Sequence, residues 1–290
     1  MGYGDDLLVT SLAAKIKKQF PERQIVIGIA KKNHAFHSPI YENNPNIADC
    51  RNLDYDKPIH LIDYHELNRP YIDYDKSIPN NYVWRNFKPI PGEIYFSDQE
   101  KIEAKKIVSE AKKFWQGNHN KKFRNIIFLE TSSTKINDEQ FSIKHQNKDW
   151  GIQNWISLIN KLKNDYLIIQ STHTQTKKIK GIFTPQVTDF RLACAILNEV
   201  DFYVGPEGGF GHVAAALNKK AVLYFGGWIS PDIIGYEFHE NIYYEDKQSP
   251  CGVKLKPCEH CSKAREVITA DLFLEPVSYT HLTLPTICSV

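Results

Sequence analysis

Gly205-Pro206-Glu207-Gly208-Gly209-Phe210-Gly211-His212 separates a short apolar run, Asp201-Phe202-Tyr203-Val204, from Val213-Ala214-Ala215-Ala216-Leu217, which reads as a helix. Glycines in a turn between a strand and a helix let the backbone approach an anion, and the first turn of the helix offers unpaired N–H groups to it. A phosphate or diphosphate suits such a turn. His212, at the helix mouth, adds a hydrogen bond or a charge. The same residues also suit a tight turn capped by Glu207. The order strand, glycine-rich loop, histidine, alanine-rich helix favours a ligand site.

Two weaker constellations lie upstream. Gly2-Tyr3-Gly4-Asp5-Asp6-Leu7-Leu8-Val9-Thr10 precedes a helix. Its glycines let backbone pass close to a bound sugar, and its carboxylates can accept a proton. Acidic residues there also simply favour the helix dipole. Lys148-Asp149-Trp150-Gly151 leads into a second helix, where a lysine neutralises a phosphate or is merely solvated.

The elements that must position these residues are legible in the hydrophobic pattern. Leu12, Ala13, Ile16 and Phe20 recur at a helical period over Ser11–Phe20, and Pro21 ends it. Met1 to Asp5 reads as loop. Strands are predicted at 25–30 and 59–64, and residues 65–92 show no clear period. A helix is predicted from Ser97 to Phe114, with Ser97 or Asp98 as its cap and Glu100 in its first turn. From Asn120 the rhythm changes to strand 126–129, helix 152–162, strand 166–170, helix 190–198, strand 201–204, a helix from His212 and strand 221–225. Strands alternating with helices of about ten residues predict a parallel sheet covered on both faces.

The 290 residues, 42% hydrophobic and 24% charged, suit one large or two modest globular domains. A net charge of +2 gives no broad basic field, so nucleic acid is not an expected partner. No apolar run approaches the roughly 20 residues that span a bilayer, and a cytoplasmic location is the default.

The three motifs, in this order, resemble glycosyltransferase family 9, the heptosyltransferase-like group. The strand Ala221–Phe225 followed by Gly226-Gly227-Trp228 and Pro231 resembles that family's closing pattern. The resemblance implies a GT-B fold, α/β, with two Rossmann-like domains facing across a cleft. An abridged acceptor domain would span 1–115 and a nucleotide-sugar domain 116–276. It implies inverting, metal-independent transfer of a sugar, heptose being one candidate, from a nucleoside-diphosphate donor to a glycan or glycolipid acceptor of lipopolysaccharide or another surface polymer. No cofactor is implied, the nucleotide-sugar being a substrate, and the inner face of the cytoplasmic membrane is the implied place of work, with peripheral membrane contact. By position, Asp5 takes the general-base carboxylate, with Asp6 as runner-up. Lys148 takes the phosphate-contacting lysine, Gly208 and Gly209 the backbone donors at the diphosphate, and Glu207 and His212 the acidic residue and histidine of that motif. Gly208 stands where many members carry a hydroxyl residue. A nucleotide-sugar epimerase of the same fold and a non-catalytic nucleotide- or sugar-binding protein are the rival readings.

Cys251, Cys258, His260 and Cys261 have the ligand types of a tetrahedral zinc site, but adjacent His260 and Cys261 reach one ion only through an unusual turn, so no metal is expected and zinc is the alternative. Cys194, on an apolar helix face, reads as core. Val277–Thr286 resembles a translated sequencing adapter, so 277–290 is expected to be a non-native tail, with native sequence continuing beyond Pro276 and a first strand preceding Met1.

Overall fold

The computed structural model describes residues 2–131, 146–173, 176–253 and 258–279. The last part of the adapter-like tail, 280–290, lies outside the described residues.

Helix α1 spans Tyr3–Gln19, so it begins at Tyr3 rather than Ser11. Asp5 and Asp6 lie in its first turn and Lys17 and Lys18 in its last, each favourable to the helix dipole. The residues that read as loop are drawn into the helix by packing: a Cβ on Gly4 would stand 3.1 Å from His212 Cδ2 and 3.3 Å from Gly209 Cα. A side chain at Gly4 would need the α5 start to give by a few tenths of an ångström, so glycine suits this close approach.

Strand β1 (Gln24–Ile29) pairs antiparallel with β2 (His34–Ala35) and parallel with β3 (Ile59–Asp63), giving a three-stranded sheet. The aperiodic stretch after it contains an antiparallel hairpin, β4 (Ile72–Ile78) and β5 (Asn81–Trp84). Helix α2 (Asp98–Asn118) opens with the expected capping box: Ser97 Oγ accepts from Glu100 N, and the Glu100 carboxylate accepts from Ser97 N.

The second half is a five-stranded, all-parallel sheet of order β10-β9-β8-β6-β7. Its strands are β6 (Ile126–Leu129), β7 (Leu167–Gln170), β8 (Phe202–Pro206), β9 (Lys220–Phe225) and β10 (Glu240–Tyr243). Those from β6 to β9 are buried almost throughout, which is why they read as unbroken apolar runs. The helices that follow are α3 (Ile152–Leu162), α4 (Phe190–Asn198), α5 (Gly209–Ala216), the short α6 (Pro231–Ile234), α7 (Glu259–Val267) and α8 (Asp271–Tyr279).

One face of this sheet and helices α1, α2, α4 and α5 share a core with β1 and β3. Helix α1 packs on α5, and α2 packs on α4 and β7. The other face holds Trp150, Trp155, Leu158, Phe273 and Val277. The chain leaves β6 for β7 on one side and returns to β8 on the other. The crevice beyond the carboxyl ends of β6 and β8 is therefore the topological switch point, where ligands bind in sheets of this kind. No helix among the described residues is long and apolar enough to cross a membrane.

Candidate active site

The switch point gathers the glycine-rich turn and the lysine. Gly208 caps α5 with φ +154°, and a Cβ there would meet nothing within 4 Å, so the approach to the turn is open. Helix α5 begins at Gly209, three residues ahead of the expected His212, and its free N–H groups face the turn. Behind the turn, Glu207, Gly211, His212, Leu223 and Tyr236 enclose only about 10 Å³. That is the size of a single water, so the space behind the turn is too small for a phosphate.

Trp150 fixes the lysine. It is fully buried, donates from Nε1 to Ile268 O at 2.8 Å and stacks on Phe273 with ring centroids 4.6 Å apart. The adjacent short turn, Gln146–Lys148, then projects Lys148 to Glu207, Nζ to Oε1 at 2.6 Å, with the ammonium 4.3 Å from the centroid of the Trp228 ring. Lys148 is thus shared between a carboxylate and an aromatic face.

His212 is nearly buried and its Nδ1 lies 2.9 Å from the Tyr236 hydroxyl. Burial, with smaller contributions from Lys148 and His239, pushes its pKa down to about 3. Of the two roles open in the sequence, a hydrogen bond or a charge, the neutral hydrogen-bonding one applies at ordinary pH.

The two carboxylates of α1 part ways. Asp5 Oδ1 accepts from Tyr71 Oη at 2.6 Å, and Oδ2 faces Arg69 Nε at 3.1 Å. Asp6 is buried, accepts from Ser38 Oγ at 2.7 Å, and has its pKa raised by burial against that hydrogen bond. Because α1 abuts α5 at Gly4, the Asp5 end of one helix adjoins the glycine-rich start of the other. Asp5, Lys148, Glu207, Gly208, Gly209 and His212 are all gathered around the junction of the two halves.

A separate cavity of about 290 Å³ lies on the 36–51 loop, lined by His37, Tyr41, Glu42, Asn44, Asp49 and Arg51. Tyr41 links it to α1: burial and then the Asp6 charge raise its pKa.

Glu130 has no counterpart in the sequence reading, where it is only the residue after a strand. It stands at the carboxyl end of β6, accepts from Tyr203 Oη at 2.9 Å, and donates its backbone N–H to Val204 O at 3.0 Å. Burial, opposed by the Tyr203 hydrogen bond and then reinforced by Glu207, lifts its pKa to about 7. The folded state therefore holds a proton there that the unfolded chain has lost above about 4.5. Stability from this group is present at acid pH and is lost as pH rises from about 4.5 through about 7. Glu130→Gln should flatten that decline and be the more stable protein at pH 8, as read by urea denaturation across pH. An unchanged slope would remove Glu130 as its source.

The cysteines assemble without the histidine. Cys251, Cys258 and Cys261 place their sulfurs within 4.8 Å of one another. His260, by contrast, has Nδ1 3.0 Å from Asp246 Oδ1 and Nε2 3.0 Å from Ser249 Oγ. Neighbours on a helix point about 100° apart, so His260 and Cys261 cannot share a centre. Of the four residues of the candidate cluster, the three thiols come together and His260 does not.

No family model matches this sequence, and no curated protein matches it. Among solved structures, the chain shares its fold with the glycosyl transferase family 9 protein from Veillonella parvula DSM 2008. The TM-score is 0.58 at 13% identity, covering 97% of this chain and 94% of that one. The iron-containing dodecameric glycosyltransferase TibC from enterotoxigenic E. coli H10407 matches with a TM-score of 0.53 at 12% identity, over 97% of this chain and 74% of that one. The two-part α/β architecture expected from the motifs is thereby established.

Proposed function

We propose that this chain is an inverting glycosyltransferase that moves a sugar from a nucleoside-diphosphate donor to a glycan or glycolipid acceptor, with no metal in the transfer step. The observation that carries the reading is the junction of α1 with α5, which sets a carboxylate on one lobe beside an open anion-binding turn on the other. The donor diphosphate would lie outside Gly208 and Gly209, under the α5 N-terminus. Leaving-group charge that develops there is stabilised by fixed N–H groups and by Lys148. Asp5 would take the proton of the acceptor hydroxyl from the opposite side. The transition state resembles that of glycoside hydrolysis, with positive charge on the sugar ring. A carboxylate is too weak a base to ionise a sugar hydroxyl beforehand, so proton transfer and donor cleavage proceed together.

On this reading residues 1–115 carry the acceptor and 116–276 the donor. The motif resemblance favours lipopolysaccharide or another surface glycan as the acceptor class and heptose among the sugars, with the work done at the cytoplasmic face of the membrane.

Calorimetric titration with ADP, UDP and GDP tests the donor site. One nucleotide should bind selectively, and Lys148→Ala should weaken it by about tenfold or more, the worth of a charge-assisted phosphate contact. Because that change leaves Glu207 without its cation, Lys148→Ala with Glu207→Gln serves as the second variant. A well-folded protein that binds none of the three nucleotides would overturn the proposal.

A further inference from the structure

Three thiols come together where the transfer chemistry does not need them. Cys258 caps α7, its Sγ accepting from Cys261 N at 3.4 Å, and Cys251 approaches from a separate segment. The sulfur separations are 3.4 Å for Cys251–Cys261 and 3.5 Å for Cys258–Cys261. A tetrahedral ion with metal–sulfur bonds of about 2.3 Å requires sulfur edges of about 3.8 Å. Small side-chain rotations close that difference. A disulfide would use two of these sulfurs and strand the third, whereas one ion uses all three.

Cys251 also begins a strap. Its N–H donates to Gly227 O at 2.9 Å, and Gly252 N donates to Trp228 O at 3.1 Å. Tyr82 N, on the hairpin of the first half, donates to Gly252 O at 2.9 Å, and Asn147 Nδ2 donates to Val253 O at 2.8 Å. Gly252 has φ +64°, and a Cβ there would stand 2.2 Å from Tyr82 O, so no other residue fits. The strap therefore touches the residue before Lys148, the backbone of Trp228 whose ring faces the ammonium, and the hairpin whose Trp84 meets Trp228 edge-on at 5.0 Å.

We propose that Cys251, Cys258 and Cys261 bind one thiophilic transition-metal ion of the zinc or iron class, and that this ion anchors the 251–253 strap across the two halves. Each thiol gives its proton to solvent on binding, the ion keeps its oxidation state, and solvent fills the fourth position. The role is structural and independent of whether the chain transfers a sugar.

The test is metal analysis of the full chain purified without chelator, followed by cobalt(II) titration of the chelated protein. One zinc or iron per chain is expected, lost in Cys258→Ser with Cys261→Ser and kept in Cys50→Ser. Cobalt should give a thiolate charge-transfer band in the near ultraviolet. Hydrogen exchange reads the strap: chelation should strip protection from the Tyr82, Cys251 and Gly252 amides and spare Phe128 and Ile168. Folded wild-type protein that is metal-free and gives no cobalt band, or that holds a Cys251–Cys261 disulfide, overturns the site. Metal loss without change at those three amides overturns the strap. Should the double variant fail to fold, the cobalt titration of wild-type protein still decides.

Discussion

Asp5→Asn should slow sugar transfer by about 10²–10⁴-fold, the span of a general-base contribution, with nucleoside-diphosphate affinity close to wild type. The asparagine keeps the shape of the aspartate and can still accept from Tyr71 Oη, which now lies 2.6 Å from Oδ1. What it loses is the basic oxygen and the charge facing Arg69. On the proposed reading the donor is held elsewhere, at Lys148 and the α5 N-terminus, so that loss falls on turnover. Tyr71→Phe keeps the carboxylate and frees one oxygen, so a smaller fall is expected, read as a change in kcat with little in KM. Asp6→Asn is the matched control. Asp6 is buried against Ser38, and an amide oxygen there still accepts that hydroxyl, so turnover should be near normal. Parallel steady-state assays of the three variants, with calorimetry of nucleotide binding, separate the roles. An Asp5→Asn protein of normal turnover would remove Asp5 as the base, and an Asp6→Asn protein of low turnover would move the role one residue along.

The residues of the site were individually visible in the sequence, and their partners were not. Lys148, Glu207, Gly208, Gly209 and His212 lie in short motifs, each with a local reason to be noticed. The Lys148–Glu207 pair joins residues far apart in the chain, and no spacing announces it. Glu130 ends an ordinary apolar strand, and its raised pKa depends on Tyr203 and Glu207, both delivered by β8 and the turn after it. The second-half strands were legible because a parallel strand buried on both faces leaves one signal, a continuous apolar run. The hairpin Ile72–Trp84 leaves none. Its tyrosines and tryptophan are half-buried, and contacts that come from the other half, through Trp228 and Gly252, order them. The start of α1 was hidden for the same reason, since Gly2-Tyr3-Gly4 is a poor helix former by itself. It becomes helical where Gly4 lies against Gly209 and Tyr3 stacks on Phe190, with ring centroids 4.7 Å apart.

Arg191→Ala should destabilise the fold by about 3–5 kcal/mol, the cost of removing the buried member of an ion pair and leaving half-buried Glu100 without its cation. In the sequence Arg191 is one polar residue on an apolar helix. In the fold it is almost fully buried at the start of α4, and its guanidinium is fully engaged. Nε and Nη2 donate to the two Glu100 oxygens at 2.6 and 2.9 Å, Nη1 donates to Pro39 O at 2.7 Å, and Nη2 donates to Tyr95 O at 2.6 Å. A single side chain thus ties the second half to the start of α2 and to two loops of the first. Burial pushes the Glu100 carboxyl up, but hydrogen bonds from Arg191 and Ser97 outweigh it and hold the pKa below the usual value. That contribution is present above the unfolded pKa and is lost as pH falls through the lower folded value. Lysine cannot replace the fork, because one ammonium does not span two carboxylate oxygens and two carbonyls. Arg191→Lys should therefore recover only a small part of the loss. Urea midpoints for Arg191→Ala, Arg191→Lys and Arg191→Met with Glu100→Gln give the measurement. The double variant should be more stable than Arg191→Ala, because the half-buried Glu100 charge is not left unpaired. If instead the three unfold together at the wild-type midpoint, the clamp contributes nothing, and the halves are held by the α1–α5 and α2–α4 packing and the hairpin contacts at Trp228 and Gly252.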